Sequence, residues 1–242
     1  MKIRLCRPER RNAVGLDMVK RLNEALSRAA ADEAVNAIVI AGTGSGFCAG
    51  SDLKELGGLS PAEMGRHERG AARLCRTLLG VPKPTISAVE GFAIGGGFIL
   101  AAAADVVVSS RAARWHLPEV SLGWLPPWGL HVLVRRVGLA RAQALAWGAD
   151  PIDGAEAYRQ GLVDWVTDSG AAEQRALEVA GRLAALPREV VAATKLFFER
   201  LSPLGDLRAL DESAAVIFEC HCHSDVAKAS FVRLAAKGGK LP

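Results

Sequence analysis

Hydrophobic positions switch between two periods along the first three quarters of the chain. Lys2 to Cys6 alternates as a short strand does, and Pro8 ends it. From Asp17, a predicted N-cap, Val19, Leu22, Leu26 and Ala29 fall on one helical face. Ala37 to Ile40 is a short buried-type strand closed by the glycine-rich run 42–46, and Phe47 to Leu56 turns into a helix. A polar linker after Gly57 leads to a helix ending near Leu79. The strand Pro84 to Val89 then meets Gly95-Gly96-Gly97 and an apolar, alanine-rich helix. Strands follow at Asp105 to Ser109 and Ala113 to Leu117.

From Leu130 the pattern is helical: His131 to Val137, Ala140 to Trp147, Gly154 to Gln160, Glu173 to Leu186, Arg188 to Leu201 and a long stretch from Leu207 to Lys237. Only Val163 to Val166 interrupts it as a strand. The expectation is an α/β core of repeated strand-turn-helix steps over residues 1–186, followed by a helical region over 187–242.

Two junctions carry candidate chemistry. At each, a strand delivers a glycine-bearing turn into a helix, first at Ala49-Gly50-Ser51 and again at Gly95-Gly96-Gly97. Glycine lets the backbone approach a ligand closely, and the first N–H groups of a helix lack intrahelical partners. Amides of Ser51 and Gly96 could therefore converge on one carbonyl oxygen. Glu119, after a strand and before a turn bearing Gly123, is the carboxylate best placed beside them.

Other motifs weigh less. Gly44-Ser45-Gly46-Phe47-Cys48-Ala49 fits a dinucleotide fingerprint, but the next convincing strand lies beyond a βαβ unit of about 30 residues. Neighbouring residues of Cys220-His221-Cys222-His223 point to different helix faces, and no second ligand pair stands at zinc-finger spacing. His116 reads as a packed or surface histidine, and Trp124 and Trp128 as core or pocket wall. No G-x-S-x-G nucleophile elbow occurs.

Composition narrows the classes. At 242 residues and 50% hydrophobic, the chain can bury roughly 70% of its unfolded surface. Thirty basic against 26 acidic residues, net +4 and without a long basic run, argue against a nucleic-acid partner but leave room for a phosphate-bearing ligand. Five irregularly spaced cysteines suit a reduced compartment. No signal-like or membrane-length apolar run stands out, so a soluble cytoplasmic protein is expected.

Taken together, Arg7 to Ala13, Phe47 to Lys54, Gly91 to Gly97 with Asp105, Pro118 to Gly123 and Ala155 to Val166 resemble the crotonase, or enoyl-CoA hydratase/isomerase, superfamily across almost the whole chain. The resemblance implies a spiral of ββα turns with a helical C-terminal trimerisation region, hence a homotrimer or a dimer of trimers. It implies an acyl-coenzyme A thioester as substrate, no separate cofactor or metal, and Ser51 and Gly96 amides on the thioester carbonyl. Lys54, Arg10 and Arg11 would lie by the nucleotide and phosphates, and Phe231 near the adenine of a neighbour. Ala49, Asp52, Leu53, Ile99, Gly123 and Trp124 complete the expected substrate contacts. The family's usual first strand is largely missing, so a truncated N-terminal hairpin or a short start is expected.

One departure bears on chemistry. Hydratases of the family carry a glutamate two positions after the glycine triplet and a second at the Pro-Glu position; here the second is Glu119 but the first is Ile99. Hydration asks for a water to be oriented and deprotonated while the α-carbon gains a proton. Shifting a double bond from the 3- to the 2-position needs one carboxylate. The expectation is a Δ3-Δ2-enoyl-CoA isomerase with Glu119 as single acid/base. The alternatives are a hydratase using Glu119 with a water held by another group, and a non-catalytic acyl-CoA binder. Decarboxylation also stays open, whereas a dehalogenase's nucleophilic aspartate would fall near Pro127.

Overall fold

A computed structural model describes residues 1–148, 150–200 and 205–236. In chain order its strands and helices are β1 Lys2–Leu5, α1 Leu16–Ala31, β2 Ile38–Gly42, α2 Leu53–Leu56, α3 Pro61–Gly80, β3 Thr85–Val89, β4 Phe92–Ile94, α4 Gly96–Ala102, β5 Val106–Ser110 and β6 Arg114–His116. There follow α5 Glu119–Leu122, α6 Leu130–Val137, α7 Leu139–Trp147, α8 Gly154–Arg159, β7 Trp165–Thr167, α9 Ala172–Ala184, α10 Arg188–Arg200, α11 Leu207–Cys222 and α12 Asp225–Ala236.

The strands form two layers. β1-β2-β3-β5-β7 make one all-parallel sheet, and β4 pairs in parallel with β6 in a second. Parallel bridges Val14–Ser51 and Cys48–Ala93 extend the second layer. Each turn of the chain thus lays one strand in the large sheet, one short segment in the small layer, and then a helix. The expected spiral of ββα turns is the fold observed. Its consequence for function is local: the small layer stacks the Ser51 turn beside the Gly95–Gly97 turn.

Burial explains the elements. Central strands β2 and β3 are apolar or small throughout, as strands covered on both faces are. Helix α1 buries Met18, Val19, Leu22, Ala25, Leu26 and Ala29, which includes the predicted face. Asp17 is not its N-cap: extended Gly15 holds that position, and Asp17 pairs instead with Arg21 one turn on. Helix α3 starts at Pro61 because Ser60 and Glu63 form a reciprocal capping box.

Two further differences concern β4 and the C-terminal helices. The three-residue strand β4 was not expected, since Phe92–Ile94 sits between glycines and gains its ladder from distant partners, β6 and the Cys48 segment. The long C-terminal pattern is two helices, broken after Cys222. The stretches at Leu201 and Lys237, where two predicted helices end, lie outside the described residues. Among the described residues no helix is long and apolar enough to cross a membrane.

The fingerprint-like glycine turn is packed tightly against its own chain. A Cβ on Gly44 would stand 2.8 Å from Pro8, one on Gly46 would stand 2.4 Å from the Phe92 ring, and Asn12 Nδ2 donates to the carbonyls of Thr43 and Gly46. The Cys-His run is divided between surface and interior: Cys220 is exposed, Cys222 buried, and His221 Nδ1 accepts from the Leu125 amide. No group of three potential ligands gathers anywhere among the described residues.

Candidate active site

Gly50 at φ 90° and Gly95 at φ 56° hold the two turns face to face, a backbone shape that side chains disfavour. The Gly95 amide donates to the His116 carbonyl at 2.8 Å, and that of Ile94 to Cys48 at 3.0 Å, which fixes the second turn against the first. Among the described residues, neither the Ser51 nor the Gly96 N–H has a backbone or side-chain acceptor. They are neighbours: a Cβ placed on Gly96 would lie 3.7 Å from the Ser51 nitrogen. His116, singled out in the sequence, has its ring on the Gly148 carbonyl at 3.1 Å and so braces this region rather than entering it.

A pocket of about 530 Å³, counted to its open mouth, lies over these amides. Its walls are largely apolar: Leu53, Leu56, Ile99, Leu122, Pro126, Pro127, Phe218 and both tryptophans contribute. The lining, apolar with few polar anchors, is of the kind that holds a small organic ligand. Trp124 stacks on Phe231 at 4.7 Å between centroids and meets Phe218 edge-on at 6.3 Å. Phe231 therefore lines the pocket of its own chain. Trp128 presses its Cζ2 edge toward Gly96, where an added Cβ would stand 2.8 Å away.

Glu119 is 8% exposed and faces the pocket, with Oε1 2.8 Å from where a Cβ of Gly95 would be and Oε2 without a hydrogen-bond partner. Burial pushes its carboxyl up to about 8, against a hydrogen bond from its own backbone, and the charge of Glu68 adds to the rise.

Glu68 is a second carboxylate in the pocket, one that the expectation of Glu119 as single acid/base did not include. It reaches the pocket from α3, is 1% exposed, and accepts 2.7 Å from Trp128 Nε1 through Oε2. Its Oε1 is 3.5 Å from His67 Nδ1. Burial pulls that imidazole down, but the Glu68 carboxylate together with the charges of Glu55 and Asp52 more than offsets it and holds His67 above its ordinary value. The sequence carried one sign of this. Glu68 lies one turn from Met64 and from Ala71, on the stripe that α3 buries.

Of the expected contacts, Ala49, Ser51, Leu53, Gly96, Ile99, Glu119, Trp124 and Phe231 do line the pocket, while Asp52, Lys54, Arg10, Arg11 and Gly123 do not. Asp52 is occupied as the N-cap of α2, accepting from the amides of Lys54 and Glu55 and pairing with Arg7 at 3.0 Å. Gly123 ends α5 at φ 103°, where a Cβ would meet Val226 and the Ala227 nitrogen of α12. Arg11 stacks its guanidinium on Phe92 at 4.5 Å, and its carbonyl accepts from Ala49 at the pocket wall. Lys54 is exposed on the first turn of α2.

A two-layer ββα spiral with paired main-chain amides and a buried carboxylate under an apolar pocket is the architecture of a crotonase-fold protein. The family model described as enoyl-CoA hydratase/isomerase matches residues 1–234, and the chain belongs to that family, whose members are enzymes acting on acyl-CoA thioesters. It is 37% identical over 199 residues to a probable enoyl-CoA hydratase of Rhizobium meliloti, covering 78% of this chain and 74% of that protein. It is 35% identical over 192 residues to the 1,2-epoxyphenylacetyl-CoA isomerase of Escherichia coli, covering 77% and 73%. Among solved structures, Pseudomonas aeruginosa OdaA superposes with a TM-score of 0.85 at 29% identity over 96% of this chain and 94% of that one. An enoyl-CoA hydratase/isomerase from Xanthobacter autotrophicus gives 0.87 at 28% identity over 98% and 90%.

Proposed function

We propose that this protein moves a carbon–carbon double bond of an acyl-CoA thioester from the 3- to the 2-position, with Glu119 as the group that carries the proton. The observation behind this choice is the pairing of a buried, half-unpartnered Glu119 carboxyl with a fully buried isoleucine at position 99. In the proposed reaction the Ser51 and Gly96 amides receive the thioester oxygen, each such donor being worth about 3 kcal/mol as charge builds there. Glu119 takes a proton from C2, the dienolate charge rests on the thioester oxygen, and the same carboxyl returns the proton at C4. Nothing is gained or lost in the sum, so no cofactor is required. Lys54, Arg10 and Arg11, outside the pocket lining, remain the proposed contacts for the coenzyme's phosphates. Exposed Val190, Phe197 and Phe198 on α10 support assembly of like chains through the C-terminal helices, as a trimer or a dimer of trimers.

The reading is tested by the conjugated absorbance that appears when 3-enoyl-CoA becomes 2-enoyl-CoA; no absorbance gain with any chain length would reject it. Its pH dependence has a definite sign. The base is the ionised form of a group raised to about 8, so kcat/KM should climb close to tenfold per unit below pH 8 and level off above it. A profile already flat at pH 6 would mean that another group accepts the proton.

Glu68 favours one second reading, hydration of 2-enoyl-CoA with a water held between two carboxylates. Against it, Glu68 is tied to Trp128, and Ile99 can neither orient nor deprotonate a water. The Ile99→Glu variant is expected to raise hydration of crotonyl-CoA by about 10²-fold or more from a negligible level. Fast hydration by the unaltered protein, unimproved by Ile99→Glu, would favour the second reading instead.

A further inference from the structure

Glu68 is a charged side chain that the proposed isomerisation does not use. It belongs to the wall of the same pocket, and a buried carboxylate has to be accounted for by its partners. Two oxygens offer about four acceptor sites. The indole N–H of Trp128 fills one at 2.7 Å, and Oε1 has His67 Nδ1 beside it at the long distance of 3.5 Å, which leaves further acceptor sites.

Its position is set by one edge of one ring. Trp128 lays Cζ2 against Gly96 and turns the adjoining Nε1 to Glu68, so the carboxylate stands about the width of an indole from the amide pair. Charge decides which part of a thioester lies there. Coenzyme A is polyanionic and would be repelled, so Glu68 faces the acyl portion. Apart from Glu119 and the Ser51 turn, the surface it interrupts is largely hydrocarbon and aromatic. A plain alkyl chain laid along it would cover the carboxylate and leave acceptor sites unmet. A chain with a donor would satisfy them.

We propose that Glu68 selects the acyl group, accepting a hydrogen bond from a hydroxyl on the chain beyond the reacting carbons, so that hydroxylated acyl-CoA thioesters are preferred to plain alkyl ones and anionic, dicarboxylic ones are excluded. This rests on the acyl-CoA reading of the pocket, but it can be measured without turnover.

The experiment is calorimetric binding of saturated thioesters, which cannot isomerise. Octanoyl-CoA is compared with hydroxyoctanoyl-CoAs whose hydroxyl is walked outward from C4, and glutaryl-CoA serves as the anionic probe. For at least one hydroxyl position the unaltered protein should bind about tenfold tighter than it binds octanoyl-CoA, the usual return on a hydrogen bond to a charged acceptor. Glu68→Leu should erase that preference, so that hydroxylated and plain thioesters bind alike whatever the loss of the Trp128 acceptor does to affinity as a whole. Glu68→Gln, which can still accept from Trp128 and so keeps the wall intact, should weaken the preference and improve glutaryl-CoA binding about tenfold or more. A misplaced Trp128 would change all the thioesters alike; only recognition by Glu68 changes their ratio. Equal binding of every hydroxylated and plain pair by the unaltered protein overturns the proposal. So does a preference unaltered in both variants, or glutaryl-CoA binding that Glu68→Gln leaves where it was. Failure of isomerisation alone would leave these ratios untouched and count only against the proposed reaction.

Discussion

Glu119→Gln is expected to lower kcat for 3-enoyl-CoA isomerisation by about 10²- to 10⁴-fold, with little change in acyl-CoA affinity. Glutamine keeps the shape of the side chain beside Gly95 but can neither take a proton from C2 nor return one at C4. The amide pair survives the change, so the thioester still binds and polarises while the proton has no carrier. Stability should move in the opposite sense. The folded-state pKa of Glu119 is raised above its unfolded value, so its contribution is complete below about pH 4.5 and is lost as pH climbs through about 8. The glutamine variant escapes that loss, and its Tm should exceed that of the unaltered protein more clearly at pH 9 than at pH 5. Thermal unfolding at the two pH values and the absorbance assay check both halves. A variant that isomerises at the original rate removes Glu119 from the mechanism.

Glu119 and the two amides were legible in the sequence because each sits where a strand gives way to a glycine turn and a helix, a local pattern with a local cause. The order of the strands was not. Residues in one small layer, such as Cys48 and Ala93, are 45 positions apart, and no periodicity states that they pair. Asp52 was placed among substrate contacts through its neighbours in the motif, whereas its carboxylate is spent on capping α2 and on Arg7. Glu68 was hidden for the opposite reason. Within Arg66-His67-Glu68-Arg69 it reads as part of a solvated face, and it becomes a pocket wall only because α11 packs along α3, held by pairs from Arg69 to Glu212 and Glu219 and from Arg76 to Asp211. Those partners come from more than 130 residues further along the chain. Long-range packing, not local preference, turned that charge inward.

The same packing makes Gly97→Ala the sharpest test of how fold and site depend on each other. A Cβ at Gly97 would stand 2.3 Å from the Cys48 carbonyl oxygen and 2.7 Å from its carbon, both main-chain atoms that cannot swing aside. Relief requires the two turns to separate, and it is their apposition that brings the Ser51 and Gly96 amides together. Overpacking of this kind costs about 1–3 kcal/mol or more, and a displacement of about 1 Å at a reacting centre can cost about 10²-fold in rate. Gly97→Ala is therefore expected to lower Tm, to weaken acyl-CoA binding and to cut turnover at least a hundredfold, even though the new methyl touches no substrate. Gly181→Ala is the matched control: it lies in helix α9 with nothing within 4 Å of an added Cβ, and should stabilise by about 0.5–1 kcal/mol with activity unchanged. If Gly97→Ala kept full turnover, close contact of the two turns would not be what holds the Ser51 and Gly96 amides in place for the proposed reaction.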